Sequence, residues 1–214
     1  MYAGRIVAAG RTASGANAAL YRVSSRSFPN RQAVDLGGRL AIVPREGHEG
    51  DVYKNPYIAY NCLRIAGAYA IATNGTQTDP VAEKIAAGIP PRDALVQSLL
   101  ALDYEKDDYN TPRIAAVVPQ HGDEAWLGIV RHDAMVVRAV PLSEGRAVWL
   151  STYEGDDIDA SDRSQNVGFD AGDATEAARF IVSGGEFAEL TNPVTSAAAL
   201  ATSRGFELAT YLVP

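Results

Sequence analysis

Three arginines, three serines, an asparagine and a tyrosine crowd into "YRVSSRSFPNR", positions 21–31, within a chain whose net charge is −7. A guanidinium is planar and meets phosphate or carboxylate oxygens two at a time, and hydroxyls and loop N–H groups complete such a cradle. The stretch therefore reads as a loop that holds an anionic small molecule. Four more polar stretches have a similar makeup: "EGHEGDVYKNPYIAYNC" (46–62), "TNGTQTD" (73–79), "DYEKDDYNTPR" (103–113) and "STYE" (151–154). Each abuts the end of an apolar segment and is rich in Tyr, Asn, Thr or Arg. Tyrosine combines an apolar ring with a hydrogen-bonding tip, which suits it to gripping a heteroaromatic ring.

Other chemistries lose support from what these stretches lack. No G-x-x-x-x-G-K-[ST], no G-x-G-x-x-G after a strand and no G-x-S-x-G occurs, which disfavours P-loop hydrolysis, dinucleotide redox chemistry and α/β-hydrolase chemistry. His48, His121 and His132 are far apart, and Cys62 is the only cysteine, so neither a transition-metal site nor a disulfide is expected. Cys62 sits in an apolar run and reads as core packing. The acidic balance argues against a nucleic-acid partner, which would demand a basic face. Sixteen of the nineteen cations are arginine, so clustered arginines are less diagnostic here than in a lysine-rich chain. No run is long enough to cross a bilayer, and "MYAGRIVAAGR" has no signal-peptide pattern; a cytoplasmic protein is expected.

The polar stretches need elements to position them. In the first third, "YAGRIVAAG", "ANAALYRVS", "GRLAIVP", "IAYNCLRIA" and "AYAIATN" read as short strands, with a hairpin turning near Gly67. The period then changes. "DPVAEKIAAG" predicts a helix with Asp79 as N-cap, Pro80 in its first turn and Gly88 as its stop. "PPRDALVQSLLALDYE" predicts a second, with Ala94, Leu95, Ser98, Leu99 and Leu102 on one face and Glu105 at its end. "RIAAVVP", "EAWLGIVR", "AMVVRAV" and "RAVWLST" return to strand patterning, and the acidic, Gly-rich 154–173 segment reads as an irregular excursion. "DATEAARFIVSGG" predicts a helix closed by Gly184, "NPVTSAAALATS" a fourth helix and "FELATYL" a final strand. The pattern predicts an α+β layered fold, two packed sheets covered by helices, in a single domain over 1–214.

Taken together, "YRVSSRSFPNR", "EGHE", "NPYIAYNC", "NGTQTD", "DYEKDDYNTPRIAA", "LSTYE" and "GGEFAELTNPVTSAAA" resemble the archaeal-type IMP cyclohydrolase family over essentially the whole chain. The resemblance implies a four-layer αββα sandwich like that of the N-terminal-nucleophile hydrolases. It also implies cyclisation of 5-formamidoimidazole-4-carboxamide ribonucleotide to IMP, the last step of purine biosynthesis, with no cofactor or metal. Residue 1 is Met and residue 2 Tyr, so the nucleophile that names that scaffold is missing, and shared fold does not carry shared chemistry. The family leads to the expectation of a homo-oligomer, dimer or tetramer.

Under this resemblance the phosphate and adjoining polar groups fall to Arg22, Ser24, Ser25, Arg26 and Ser27, with Arg31 turned to the reacting centre. Tyr60, on the same face as Ile58 and Cys62, would donate to the formyl oxygen. Glu105 would be the general base for the carboxamide proton, with Lys106 paired to it or to the phosphate. Asn61, Asn74, Tyr104, Asn110 and Arg113 would complete the base and ribose pocket, with His48 and Tyr153 as lesser contributors. Two other readings stay open: an amide hydrolase that frees an internal nucleophile by self-processing, and a non-catalytic purine-nucleotide-binding module.

Overall fold

The computed structural model describes residues 1–156 and 165–214. The strands are β1 (Arg5–Arg11), β2 (Asn17–Ser24), β3 (Arg31–Asp35), β4 (Arg39–Pro44), β5 (Tyr60–Ala66), β6 (Tyr69–Thr73), β7 (Arg113–Pro119), β8 (Glu124–Val130), β9 (Met135–Pro141), β10 (Arg146–Ser151), β11 (Asn166–Gly168), β12 (Pro193–Thr202) and β13 (Gly205–Leu212). The helices are α1 (Thr78–Ala86), α2 (Pro91–Leu102) and α3 (Ala174–Ser183). They form two antiparallel sheets, one ordered β11-β10-β1-β2-β12-β13 and the other β3-β4-β5-β6-β7-β8-β9.

Strand alternation explains the layering. Side chains two residues apart share a face, so Val7 and Ala9 of β1, with Ala19, Tyr21 and Val23 of β2, point between the sheets. There they meet Ala70 and Ala72 of β6 and Ile114, Ala116 and Val118 of β7. The opposite faces of β1 and β2, Ile6, Ala8, Ala18 and Leu20, pack under Ala174, Ala177, Ala178 and Ile181 of α3. Ile71, Ala115 and Val117 pack under Val81, Ile85, Ala94 and Leu95 of α1 and α2. The order is thus helix, sheet, sheet, helices, with the central strands buried on both faces.

The structure corrects four expectations. Residues 193–202 form a strand rather than a fourth helix. Alanine favours helix intrinsically, but here Ala197 and Ala199 enter the space between the sheets while Ala198 and Leu200 pack under α3. Alternate burial on two faces, between β2 and β13, outweighs propensity. Second, α1 starts at Thr78 after Gln77, which places Asp79 in the first turn, where its carboxylate accepts from Asn61 and Arg64. Third, α2 stops at Leu102, because Asp103 adopts φ 56; Glu105 lies in the following loop. Fourth, part of the 154–173 excursion is regular. Its residues 166–168 pair with β10, and Phe169 and Ala171 join the α3 core; residues 157–164 lie outside the described part of the chain. β3, which had no strand expectation of its own, begins at Arg31 and pairs with β4.

Candidate active site

Alternation along β1 that sends Val7 and Ala9 inward also sends Arg5 inward, and β1 delivers it to a buried carboxylate. Arg5 Nη2 donates to Glu105 Oε2 at 2.7 Å, with the Glu105 side chain fully buried. A second guanidinium, Arg113 Nη1, stands 3.9 Å from Glu105 Oε1. Burial lifts the Glu105 carboxyl above the ordinary carboxylate range, while Arg5 and Arg113 pull it down. Burial also works to strip Arg5 of its proton, but Glu105, helped by the Tyr60 and Tyr21 phenols, holds that proton more firmly than usual. Near this pair the Tyr21 and Tyr60 hydroxyls approach to 2.5 Å, with rings edge to face. Burial raises both phenols, and Arg5 and Arg31 partly offset it at Tyr60.

Arg31 opens β3 with its guanidinium buried. Its Nε donates to Phe28 O at 3.0 Å, which folds the loop back on itself. Arg31 Nη1, Glu105 Oε1, Arg5 Nε and Arg113 Nε are buried without a hydrogen-bond partner among the described residues. Unmet polar atoms in a buried cluster are costly, so their convergence beside a cavity marks a place that a polar ligand would complete.

The cavity is about 720 Å³. Arg5, Arg31, Ser24, Ser25, Arg26 and Ser27 line it, and Lys54, Asn55, Asp107, Asp108, Tyr109 and Thr111 reach it from other loops. Tyr2 and Tyr153 stack at 5.8 Å along one side, with the Arg26 guanidinium 4.1 Å from the Tyr2 ring centre. The Ser25 hydroxyl accepts from Phe28 N, and Tyr153 OH pairs with Thr111 Oγ1. Cationic, hydroxylic and aromatic walls together fit an anionic ligand bearing a flat ring. Among the described residues no three His, Cys, Asp or Glu side chains gather as a metal site would need.

Not every residue expected at the site lies there. Arg22 is turned away. As the neighbour of inward-facing Tyr21 it points to the α3 side, where Nη1 and Nη2 donate to the carbonyls of Ile181, Val182, Phe187 and Leu190. It reaches the site only through Ser24, whose hydroxyl accepts from Arg22 Nε at 2.9 Å. Burial lowers the Arg22 pKa to about 10. Lys106 pairs with Asp103 on the surface, over the Tyr104 ring, rather than with Glu105, and Tyr104 packs edge-on against His132. Asn61 faces α1 and binds Asp79. Exposed Asn110 makes a tight turn at φ 49 outside the cavity wall. Asn74 is fully buried and donates to Pro112 O. Tyr60, Glu105 and Arg113 are not among the cavity-lining residues; Glu105 is joined to the lining through its bond to Arg5. Arg5, Tyr21 and Gln77 carry much of the cluster and had no place in the sequence expectations.

The family model described as IMP cyclohydrolase-like protein matches residues 2–205. A protein named IMP cyclohydrolase from Methanosphaera stadtmanae is 47% identical over 199 residues, covering 93% of this chain and 94% of its own. One of the same name from Natronomonas pharaonis is 46% identical over 214 residues, covering 99% and 98%. Another, from Halobacterium salinarum, is 48% identical over 179 residues, covering 84% and 83%. With likeness of this depth running nearly end to end, the chain belongs to the IMP cyclohydrolase-like family.

Proposed function

We propose that the protein is an IMP cyclohydrolase, which closes 5-formamidoimidazole-4-carboxamide ribonucleotide to IMP and releases one water. The carboxamide nitrogen bonds to the formyl carbon, the formyl oxygen takes up two protons and departs as water, and the formamide N–H proton is lost as the ring C=N forms. Both reacting groups sit on one molecule, so holding them face to face supplies much of the rate.

The observation that carries this reading is the pair of guanidiniums lining one cavity, Arg31 buried and Arg5 with its side chain 11% exposed, together with the Ser24–Ser27 stretch in the same lining. Positive charge fixed where a formyl oxygen turns anionic lowers the barrier without reorganisation. The loop hydroxyls and Arg26 suit the phosphate, and the Tyr2–Tyr153 stack suits the imidazole face. Tyr60, hydrogen-bonded to Tyr21 behind the lining, supplies a proton to the oxygen through one bridging water. Glu105 has two jobs. Its Oε2 anchors Arg5, and its unpaired Oε1, which does not line the cavity, takes the carboxamide proton through one bridging water; burial lifts this carboxyl above the ordinary carboxylate range.

The layer order supports likeness to the αββα scaffold of the N-terminal-nucleophile hydrolases, and the shared interior between the sheets supports one domain. A cytoplasmic homo-oligomer, dimer or tetramer, belongs to the same proposal. Among the described residues no helix is long and apolar enough to cross a membrane.

The test is incubation with the formylated ribonucleotide in chelated buffer, following IMP by absorbance and mass, with Glu105→Gln run in parallel. Formation of IMP by the native protein and its near-abolition in the variant are expected. Binding of IMP without any turnover would reduce the protein to a nucleotide-binding module.

A further inference from the structure

Asn74, Gln77 and Arg113 are buried polar residues behind the cavity wall, and hydrogen-bond logic fixes the direction of each amide. Ile114 N donates to Asn74 Oδ1 at 2.8 Å, so that atom is the oxygen and Asn74 Nδ2 must donate, as it does to Pro112 O. Asn74 Oδ1 also accepts from Gln77 Nε2 at 2.7 Å, and the same Nε2 donates to Ile114 O at 3.2 Å. The Gln77 amide therefore cannot flip, and it presents Oε1 to Arg113 Nη1 at 2.9 Å. That same Nη1 is the atom standing 3.9 Å from Glu105 Oε1, beyond hydrogen-bond reach.

Gly75 shows how closely these groups are gathered. A Cβ there would lie 2.6 Å from Arg113 Nη1, 2.7 Å from Gln77 Oε1 and 3.4 Å from Glu105 Oε1. All three side chains converge over one stretch of bare backbone. Among the described residues Gln77 Oε1 is the hydrogen-bond acceptor that holds the guanidinium, whose Tyr57 ring contact is longer at 5.7 Å; without it, the converging buried acceptor lacking a partner is Glu105 Oε1.

We propose that Gln77 is a positioning residue for the ring closure: by accepting a hydrogen bond from Arg113 it keeps that guanidinium off Glu105 Oε1, leaving the oxygen open to receive a proton. The inference rests on the reading of Glu105 as the base. Among the described residues the groups that act on Glu105 include Arg5 from β1, Arg113 from β7, Tyr60 from β5 and Asp107 from its own loop. Arg5 is committed to Oε2, so Arg113 is the neighbour whose distance Gln77 adjusts.

Two substitutions pull in opposite directions. Gln77→Met removes the acceptor and lets Arg113 close on Glu105; a cation moving into contact stabilises the carboxylate, so the acid limb of the kcat/KM profile moves down by about one pH unit. The plateau falls as well, since Oε1 is then occupied. Gln77→Glu keeps the shape but adds a carboxylate that neutralises Arg113 and repels Glu105, so the acid limb moves up by about one pH unit. The Glu105 carboxyl is also titrated directly by 13C NMR of Glu-labelled protein, assigned by its loss in Glu105→Gln. Opposite displacements in the two variants, with the carboxyl resonance following, are expected. Displacements in the same direction, or a carboxyl titration unchanged from wild type in both, overturn the inference. Should Gln77→Met fail to fold, the near-isosteric Gln77→Glu decides alone, by an upward shift or its absence. Persistence of the acid limb in Glu105→Gln would instead remove the base reading, while the NMR titration still reports whether Gln77 governs Glu105.

Discussion

The hydroxyls of Tyr21 and Tyr60 lie 2.5 Å apart between the two sheets, brought there by strands of different sheets, β2 and β5. A proton held in such a pair is ordered before substrate arrives. Either hydroxyl can be the donor; with Tyr21 donating, the Tyr60 phenolate is favoured, and Arg5 and Arg31 act in the same direction, against the dominant effect of burial. Tyr60→Phe should lower kcat by roughly 100-fold or more with a small change in KM, as expected for a lost proton donor. Tyr21→Phe should cost less, on the order of tenfold. Because a phenol that donates must be protonated, activity fails as pH rises through its pKa. Removing the Tyr21 hydrogen bond raises that pKa, so the alkaline limb should move upward. Steady-state profiles on both variants check this; an alkaline limb that moves down in Tyr21→Phe would contradict the donor direction.

Arg5 and Glu105 form a buried ion pair with both sides dependent on the other. Replacing Arg5 by Met strands a carboxylate in the interior, an expected loss of about 3–5 kcal/mol. Pairing that change with Glu105→Gln removes the stranded charge, so the double variant should be more stable than Arg5→Met alone. Denaturant melts on the two single variants and the double variant give the coupling. Strict additivity would mean that the 2.7 Å contact contributes nothing.

Arg22 predicts a purely structural effect. Its guanidinium has no carboxylate partner among its hydrogen bonds; it satisfies carbonyls at the end of α3 and in the turn after it. The Ile181 and Val182 carbonyls, in the last turn of α3, carry the negative end of its dipole, which partly compensates the charge. Arg22→Met leaves them bare and should cost about 3 kcal/mol, a fall of roughly 6–12 °C in melting temperature. The kcat at a temperature where the variant is folded should stay near wild type. A large fall in kcat without a fall in stability would return Arg22 to the substrate.

Strand period carries much of this arrangement, including residues that composition alone does not single out. Alternation put Tyr60 inside with Cys62, and the structure agrees. The same rule carried along β1 sends Arg5 inward with Val7 and Ala9, and along β2 it separates inward Tyr21 from outward Arg22. Loop composition groups Arg22 with Arg26 and Arg31, whereas the strand expected over "ANAALYRVS" turns Arg22 to the face opposite Tyr21. Period also shows why 193–202 resisted reading: a run of alanines has no apolar-polar contrast when both faces are buried. Gln77 and Arg113 could not be linked in advance, because their contact joins the entry to α1 with the start of β7 across the sheet. Lys106 illustrates the reverse hazard. It stands next to Glu105 in sequence but reaches Asp103 on the surface, and Lys106→Ala should leave kcat within about twofold of wild type.

Gly75 offers the sharpest steric test of the cluster. Its φ is not in the left-handed region, so Gly75→Ala carries no backbone penalty of that kind and acts through the contacts of one methyl group. The methyl would sit 2.6 Å from Arg113 Nη1 and 2.7 Å from Gln77 Oε1, too close for either to stay. Overpacking of this sort usually costs about 1–3 kcal/mol, and its hydrogen bonds to Asn74 Oδ1 and Ile114 O leave Gln77 little room to withdraw. Arg113 has to shift, and its distance to Glu105 changes with it. The expected result is a moderate loss of stability accompanied by a displaced acid limb in kcat/KM, with substrate affinity nearly preserved because Gly75 is not in the cavity wall. Thermal melts and a pH-rate profile on the same preparation separate the two effects. A variant that melts early yet keeps the wild-type acid limb would show that the guanidinium can move without touching the proton affinity of Glu105.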